Sequence, residues 1–311
     1  MKGEFEFIAG IRGIFPQPDG VTGIGDDCAV IPQHDGAETL VSTDMLVEGS
    51  HFLLSDISPY RLGWKSAAVN FSDIAAMGGT PVGSFLALAL PHDLPDGWTD
   101  GFLRGYRDIS EQYGFPLLGG DTTASPDRLS ICVTVLGKAD AGTSVKRSGA
   151  KPGDLVCVTG TLGDSAAGLK AVLEGLPRTD EIPYLIEKHY LPRPRIAEGL
   201  ALAGRVRSMM DISDGIGSDL RHIMEESGVG MEIDLGALPL SPELRTFCAR
   251  FGYDPYDFAA GGGEDYELLF TVAPGDEPSL GVPHTVIGRA VEAAGLVWKG
   301  SDKDFKGFRH F

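Results

Sequence analysis

Residues 209–220 read Met-Met-Asp-Ile-Ser-Asp-Gly-Ile-Gly-Ser-Asp-Leu, and this stretch decides the fold class. The apolar run Met209–Ile212 predicts a strand, and Gly215–Ser227 predicts a helix. Asp211 and Asp214 stand where the one gives way to the other. Carboxylates gathered at the ends of strands, rather than spread along helix faces, mark the place where open α/β sheets build a site.

The same arrangement recurs upstream. Asp44 follows the apolar Thr39-Leu40-Val41 in Ser42-Thr43-Asp44, and Asp121 follows Pro116-Leu117-Leu118 in Gly119-Gly120-Asp121-Thr122-Thr123. Three more places set acids beside glycine or a small hydroxyl residue: Gly25-Asp26-Asp27, Ser72-Asp73 and Gly261-Gly262-Gly263-Glu264-Asp265. Any one of them alone is ordinary turn chemistry. Six along one chain form a pattern.

Around these places the chain alternates short apolar runs with amphipathic stretches, which predicts a mixed α/β protein. The first half carries predicted strands at Glu38–Thr43, Val82–Leu90, Pro116–Leu118 and Leu129–Gly137. Its predicted helices are Glu4–Ile14, Pro59–Met77 and Gly97–Tyr113. Lys138–Gly153 is small, polar and basic with a Pro-Gly finish, and reads as a junction. Beyond it come a strand at Asp154–Thr159, helices at Asp164–Glu174, Tyr184–Tyr190 and Pro194–Ala203, and a strand at Glu267–Val272. With 311 residues the chain has room for two domains.

Bulk composition narrows the function. Hydrophobic residues make up 42% and charged residues 23%, which is globular rather than disordered usage. The formal charge of −18 argues against nucleic acid or an anionic membrane as a partner. That acidity serves either solubility alone or cation binding as well. Cys28, Cys132, Cys157 and Cys248 form no C-x-x-C pair, which fits reduced thiols and a cytoplasmic location better than a disulfide frame or a zinc site. The N-terminal MKGEFEFIAGIRG has glutamates where a signal peptide would have its apolar core.

If several of the aspartates converge, each pair about 5 Å apart repels by roughly 3 kcal/mol at an effective dielectric near 20. Such a cluster persists when its pKa values rise or a cation neutralises it. Oxygen ligands without His or Cys select magnesium or another hard cation, and Ser42, Thr43 and Thr122 can add neutral oxygens. Magnesium held by carboxylates commonly serves phosphate chemistry. The chain has no G-x-x-x-x-G-K-[ST], H-R-D or D-F-G, so a phosphate site must rest on metals, glycine amides and a few cations. Arg147, in Lys146-Arg147-Ser148-Gly149, is either a phosphate clamp or a solvated linker charge.

In this order the segments GIGDDCAV (23–30), VSTDMLVEGSHF (41–52), AAVNFSDIAAMGG (67–79), LLGGDTT (117–123), KRSGAKPGD (146–154), VTGTLGDSAAGL (158–169), DISDGIGSDL (211–220) and GGGEDYELLF (261–270) resemble the thiamine-monophosphate kinase family. That family lies within the superfamily of aminoimidazole ribonucleotide synthetase and selenophosphate synthetase. The resemblance runs through nearly the whole chain, and the ordered set is far more specific than any member. It implies a two-domain PurM-like α/β (α+β) fold, with an N-terminal domain over 1–139 that dimerises and a C-terminal domain over 150–311. It implies ATP and several Mg2+ ions as co-substrate and cofactor, and thiamine monophosphate as the phosphoryl acceptor in a homodimeric enzyme. Asp27, Ser42, Thr43, Asp44, Asp73, Asp121, Asp211 and Asp214 are the metal ligands it implies. Gly120, Asp121, Arg147 and Ser213 are its implied ATP contacts, and His51, Glu264 and Phe308 its substrate contacts. Phe308 departs from the Tyr or Trp common there, keeping the aromatic face without the polar atom. No acid or base is assigned. A selenophosphate synthetase would carry a reactive cysteine in a glycine-rich N-terminal segment, whereas no cysteine precedes Cys28. A binding protein that had lost catalysis would be marked by missing carboxylates, and all six aspartates are present.

Overall fold

A computed structural model describes residues 8, 10–11, 18–33 and 36–308. The helix expected over Glu4–Ile14 falls almost wholly outside the described residues. The first sheet contains β1 (Ala29–Pro32), β2 (Ala37–Val47), β3 (Thr80–Leu90), β4 (Leu117–Ala124) and β5 (Ser130–Asp140) in the order β1-β2-β5-β3-β4. Its neighbours are antiparallel except for the parallel β3–β4 pair. The second sheet contains β6 (Leu155–Val158), β7 (Ser208–Asp211), β8 (Gly230–Asp234), β9 (Leu268–Val272), β10 (Thr285–Val291) and β11 (Leu296–Lys299), in the order β11-β8-β10-β6-β9-β7.

Between the sheets runs α1 (Pro59–Ala76). The Ser58 hydroxyl caps it by accepting the Arg61 N–H at 3.3 Å, and Pro59 supplies a φ already suited to a first helical turn. Its run of Ala67, Ala68, Ala75 and Ala76 leaves it thin enough to be buried on most sides. It packs on β2 and β5 of the first sheet, on α2 (Trp98–Tyr113), and on β7 of the second sheet. A Cβ on Gly63 would lie 1.9 Å from the Phe102 carbonyl oxygen, and one on Gly105 1.9 Å from that of Tyr60. Paired glycines therefore let the two helix backbones touch. One apolar core reaches from Leu40, Val133 and Ile74 through to Met209 and Phe270, so the two sheets share α1 as a common wall.

The second sheet is covered by α3 (Asp164–Leu173), α4 (Ile182–Tyr190), α5 (Ile196–Leu202), α6 (Ile216–Ser227), α7 (Pro242–Phe251) and α8 (Pro255–Gly261). β1, β8, β10, β11, α7 and α8 were not anticipated from sequence. All four predicted strands of the first sheet run further than expected, two of them past an aspartate. β2 continues to Val47 because each residue to that point keeps a partner on β5, including Asp44 opposite Val133. β4 continues to Ala124 alongside β3, with Gly120 opposite Leu86 and Asp121 opposite Ala87. Asp44 and Asp121 thus sit within strands, whereas Asp211 does close its strand.

The first sheet has one face on α1 and one that carries Met45, Phe85 and Val82, exposed by 58%, 40% and 41%. β4, at its edge, is exposed along its whole length.

Candidate active site

The acidic residues meet where α1 passes between the sheets. Asp27 comes from the turn before β1, Asp73 from the last turn of α1 and Asp211 from the end of β7. One carboxylate oxygen from each lies within 4.8 Å of the other two. Ser42 donates to Asp73 Oδ2 at 2.5 Å, Ser72 to Asp211 Oδ2 at 2.5 Å, and Arg147 Nη2 to Asp27 Oδ1 at 2.6 Å. Buried Asp27 Oδ2 is left with no hydrogen-bond partner among the described residues.

Burial and mutual repulsion then set the charge. Burial foremost, then Asp44, Asp211 and Asp27, push Asp73 well above the ordinary carboxylate range. Burial, then Asp27, lift Asp211 to about 8, and the same two causes raise Asp44. An all-oxygen donor set with an unpartnered buried oxygen fits a hard divalent cation such as Mg2+ and offers nothing to a thiophilic metal. A raised folded-state pKa contributes stability that is complete below the unfolded value of about 4 and disappears as pH rises through the folded value. The metal-free protein should therefore lose thermal stability between pH 5 and pH 9. Added Mg2+ should raise the melting temperature more at pH 8.5 than at pH 5.5, because at the lower pH protons already occupy the site. Calorimetric melts with EDTA or Mg2+ check this, and a magnesium effect independent of pH would count against the cluster as the binding place.

Asp44 lies on the α1 side of β2, its backbone N–H donating to Asn70 Oδ1 at 3.2 Å. Thr43 alternates to the opposite face, where its hydroxyl shares a 2.8 Å hydrogen bond with Thr134. Any oxygen it turns toward the acidic cluster is its carbonyl. Asp214 and Ser213 follow Asp211 into the turn before α6, and the Ser213 carbonyl accepts the Glu264 N–H at 2.7 Å. Arg147 is no solvated linker charge. Its backbone N–H donates to Asp26 at 2.6 Å, and its guanidinium is mostly buried against Asp27. Burial alone would lower its pKa, and the Asp27 carboxylate reverses that.

These groups line a cleft of about 700 Å³. The same cleft is also lined by His51, Leu53, Leu169, Leu173, His189, Tyr190, Glu264 and Phe308. His51 is fixed by its Nδ1, which accepts the Val47 N–H at 3.0 Å. Phe308 is 49% exposed at the mouth, its N–H held by the Asp214 carbonyl at 2.9 Å. Glu264 has φ +63°, a left-handed conformation uncommon for a residue with a Cβ. Its Oε1 lies 2.8 Å from Lys65 Nζ and its Oε2 3.3 Å from His189 Nδ1. Burial would raise the Glu264 pKa, and Lys65, then His189, hold it below the usual range instead.

Gly120 and Asp121 are not with the rest. Gly120 shares a rung with Asp44 through Leu86 and Val133, three strand spacings or about 14 Å away. Asp121 is opposite Ala87, which is opposite Cys132 and then Met45, so its side chain stands on the exposed face with Met45. Neither residue lines the cleft of its own chain. Lys65, Asn70 and His189 were given no role in the sequence reading. A lysine inside the otherwise small and apolar Gly63–Ala68 was the one available signal, since buried lysine needs a partner.

The AIR synthase related protein family matches the chain in two parts, its N-terminal domain over residues 25–139 and its C-terminal domain over 151–298. The thiamine-monophosphate kinase of Salmonella typhimurium is 42% identical, over 99% of this chain and 98% of its own. That of Aquifex aeolicus is 38% identical, over 93% and 92%. The solved structure of AaThiL complexed with AMPPCP and TMP superposes with a TM-score of 0.92 at 37% identity, covering 99% of this chain and 97% of that one. A hydrogenase maturation protein, HypE of E. coli, shares the fold at 22% identity and a TM-score of 0.68.

Proposed function

The chain belongs to the thiamine-monophosphate kinase family, and from that premise we propose how this molecule converts ATP and thiamine monophosphate into ADP and thiamine diphosphate. The observation that carries the reading is one cleft whose lining holds both the buried aspartates and His51, Glu264 and Phe308.

In this reading Asp27, Asp44, Asp73, Asp211 and Asp214, with Ser42 and the Thr43 carbonyl, hold several Mg2+ ions. Bound there, magnesium offsets the repulsion between two phosphate-bearing substrates and stabilises the charge that develops on ADP. Arg147 and Ser213 contact ATP. Asp26 and Asp27 hold the Arg147 backbone and guanidinium before the nucleotide arrives, so little ordering remains for binding. His51, Glu264 and Phe308 orient the acceptor for in-line attack on the γ-phosphorus. A phosphate ester with a second pKa near 6 is already largely ionised at neutral pH, so no residue needs to act as general base.

A homodimer accounts for Gly120 and Asp121. The exposed face of the first sheet carries Met45, Phe85 and Val82, and β4 presents an unpaired edge beside Leu117 and Leu118, exposed by 45% and 51%. An apolar sheet face with an open edge is a surface that another chain covers. We assign a second copy of this chain to it, so that Gly120 and Asp121 of one protomer reach the cleft of the other. The four cysteines are free and mostly buried, which fits a reducing cytoplasm, and no helix among the described residues is long and apolar enough to cross a membrane.

Incubation with ATP, Mg2+ and thiamine monophosphate, followed by mass spectrometry, should give thiamine diphosphate and ADP in equal amounts. Free thiamine run in parallel should give no phosphorylated product. Magnesium-dependent ATP binding without thiamine diphosphate would retain the metal site and reject the acceptor.

A further inference from the structure

Glu264 is part of a charged network with Lys65 and His189, two residues to which the transfer chemistry gives no role. Lys65, on α1, has only 1% of its side chain exposed. A buried ammonium needs compensation, and Lys65 Nζ has two partners, Glu264 Oε1 at 2.8 Å and His189 Nε2 at 3.4 Å. An ammonium can only donate, so His189 Nε2 accepts and the ring proton resides on Nδ1. Nδ1–H then faces Ser165 Oγ at 3.0 Å and Glu264 Oε2 at 3.3 Å. Burial, then Lys65, lower the His189 pKa to about 3, which agrees with a neutral ring in that tautomer.

The two partners of Glu264 come from different helices, α1 and α4, and grip one oxygen each. Its left-handed backbone is fixed by the N–H bond to the Ser213 carbonyl. The carboxylate therefore cannot swing, and 30% of its side chain remains open to the cleft. Each oxygen keeps a second lone pair for a ligand donor. Its charge, however, is already matched by Lys65 at 2.8 Å. A carboxylate so neutralised attracts a full cation weakly and still accepts a hydrogen bond well.

We propose that Lys65, bracketed by His189, is a positioning residue for Glu264, and that Glu264 accepts an N–H from the exocyclic amine of the substrate's aminopyrimidine ring rather than pairing with the thiazolium cation. This deepens the kinase reading and rests on thiamine monophosphate as acceptor. The pocket recognises an aminated heterocycle, and the specificity originates one residue behind the cleft wall.

The test compares thiamine monophosphate with its analogue bearing oxygen in place of the 4-amino group, which keeps the thiazolium and the phosphate. One hydrogen bond to a charged acceptor corresponds to a preference of roughly 10- to 100-fold in kcat/KM for the amine. Equal use of both compounds by the unaltered enzyme overturns the proposal, while failure to phosphorylate either one rejects the acceptor assignment beneath it. In Lys65→Met the KM for thiamine monophosphate should rise by a comparable factor and the preference should shrink to about threefold or less. Its KM for ATP should stay within about twofold, a split that general loosening of the fold would not produce. A folded Lys65→Met with unaltered KM and preference overturns the proposal. Should Lys65→Met fail to fold, the double variant Lys65→Met/Glu264→Gln removes both charges together. Its glutamine offers a donor as well as an acceptor, so its preference should vanish, and a retained preference overturns the proposal.

Discussion

Asp211→Asn should lower kcat about a thousandfold at saturating Mg2+, while the metal-free variant melts at a higher temperature than the unaltered protein above neutral pH. The two effects share one cause. Asp211 is 3% exposed and has an oxygen within 4.8 Å of one from each of Asp27 and Asp73, so without a cation burial and the neighbouring carboxylates oppose its ionisation more than Ser72 and Arg147 favour it. With its folded pKa near 8, the chain loses stability as pH rises from about 4 through 8, and asparagine removes that loss. The Ser72 hydroxyl, now donating to Asp211 Oδ2 at 2.5 Å, can donate equally to an amide oxygen, so the packing survives. A charge that stabilises the transition state of phosphoryl transfer is worth about 4 kcal/mol, which is the thousandfold in rate. Steady-state turnover and melting in EDTA decide the matter. Near-normal turnover at saturating magnesium would remove Asp211 from the metal site, and a less stable metal-free variant would mean that the carboxylates are not in conflict.

Mixing two inactive variants should restore activity. Asp121 stands on the exposed face of the first sheet, on the rung of Met45 and three strand spacings from it, whereas Asp44 faces α1. If the site takes Asp121 from a second protomer, Asp121→Asn and Asp211→Asn each disable both sites of their homodimers. In a heterodimer of the two, one site receives Asp211 from the first chain and Asp121 from the second, and is intact. Random exchange makes half the dimers mixed, with one good site in each, so about a quarter of the unaltered activity should return under two-fold symmetry. Co-expression with two affinity tags and turnover of the doubly tagged fraction would read this directly. No recovery in that fraction would mean that Asp121 serves its own chain or none.

The chain's alternating pattern was enough for a mixed α/β architecture, and the ordered acidic motifs were enough for the family. Both are local signals. α1 was legible as the amphipathic stretch Pro59–Met77, and Asp211 from its apolar strand and the Gly215 turn, because nearby residues settle each. Asp44 and Asp121 looked equally terminal, but a strand ends where its partner ends. β5 and β3 carry them on, which is a property of pairing rather than of the residues themselves. The short strands at Gly230–Asp234 and Leu296–Lys299 were missed for the same reason, since each is held by a neighbour distant in sequence.

Site residues divide along the same line. That acids gather was written in the motifs; which acids share one pocket was not, because period-two alternation turned Asp121 to the far face while α1 brought Asp73 to Asp27 and Asp211. Lys65 is the clearest case. In sequence it is one lysine in a helix, and its meaning depends on Glu264 and His189, which only the packing of α4 and the Gly263–Tyr266 turn against α1 brings within reach. Composition and short motifs determined what chemistry this protein carries. Tertiary structure decided which groups do it together, since distance and burial, which set pKa and pairing, are not local properties of a chain.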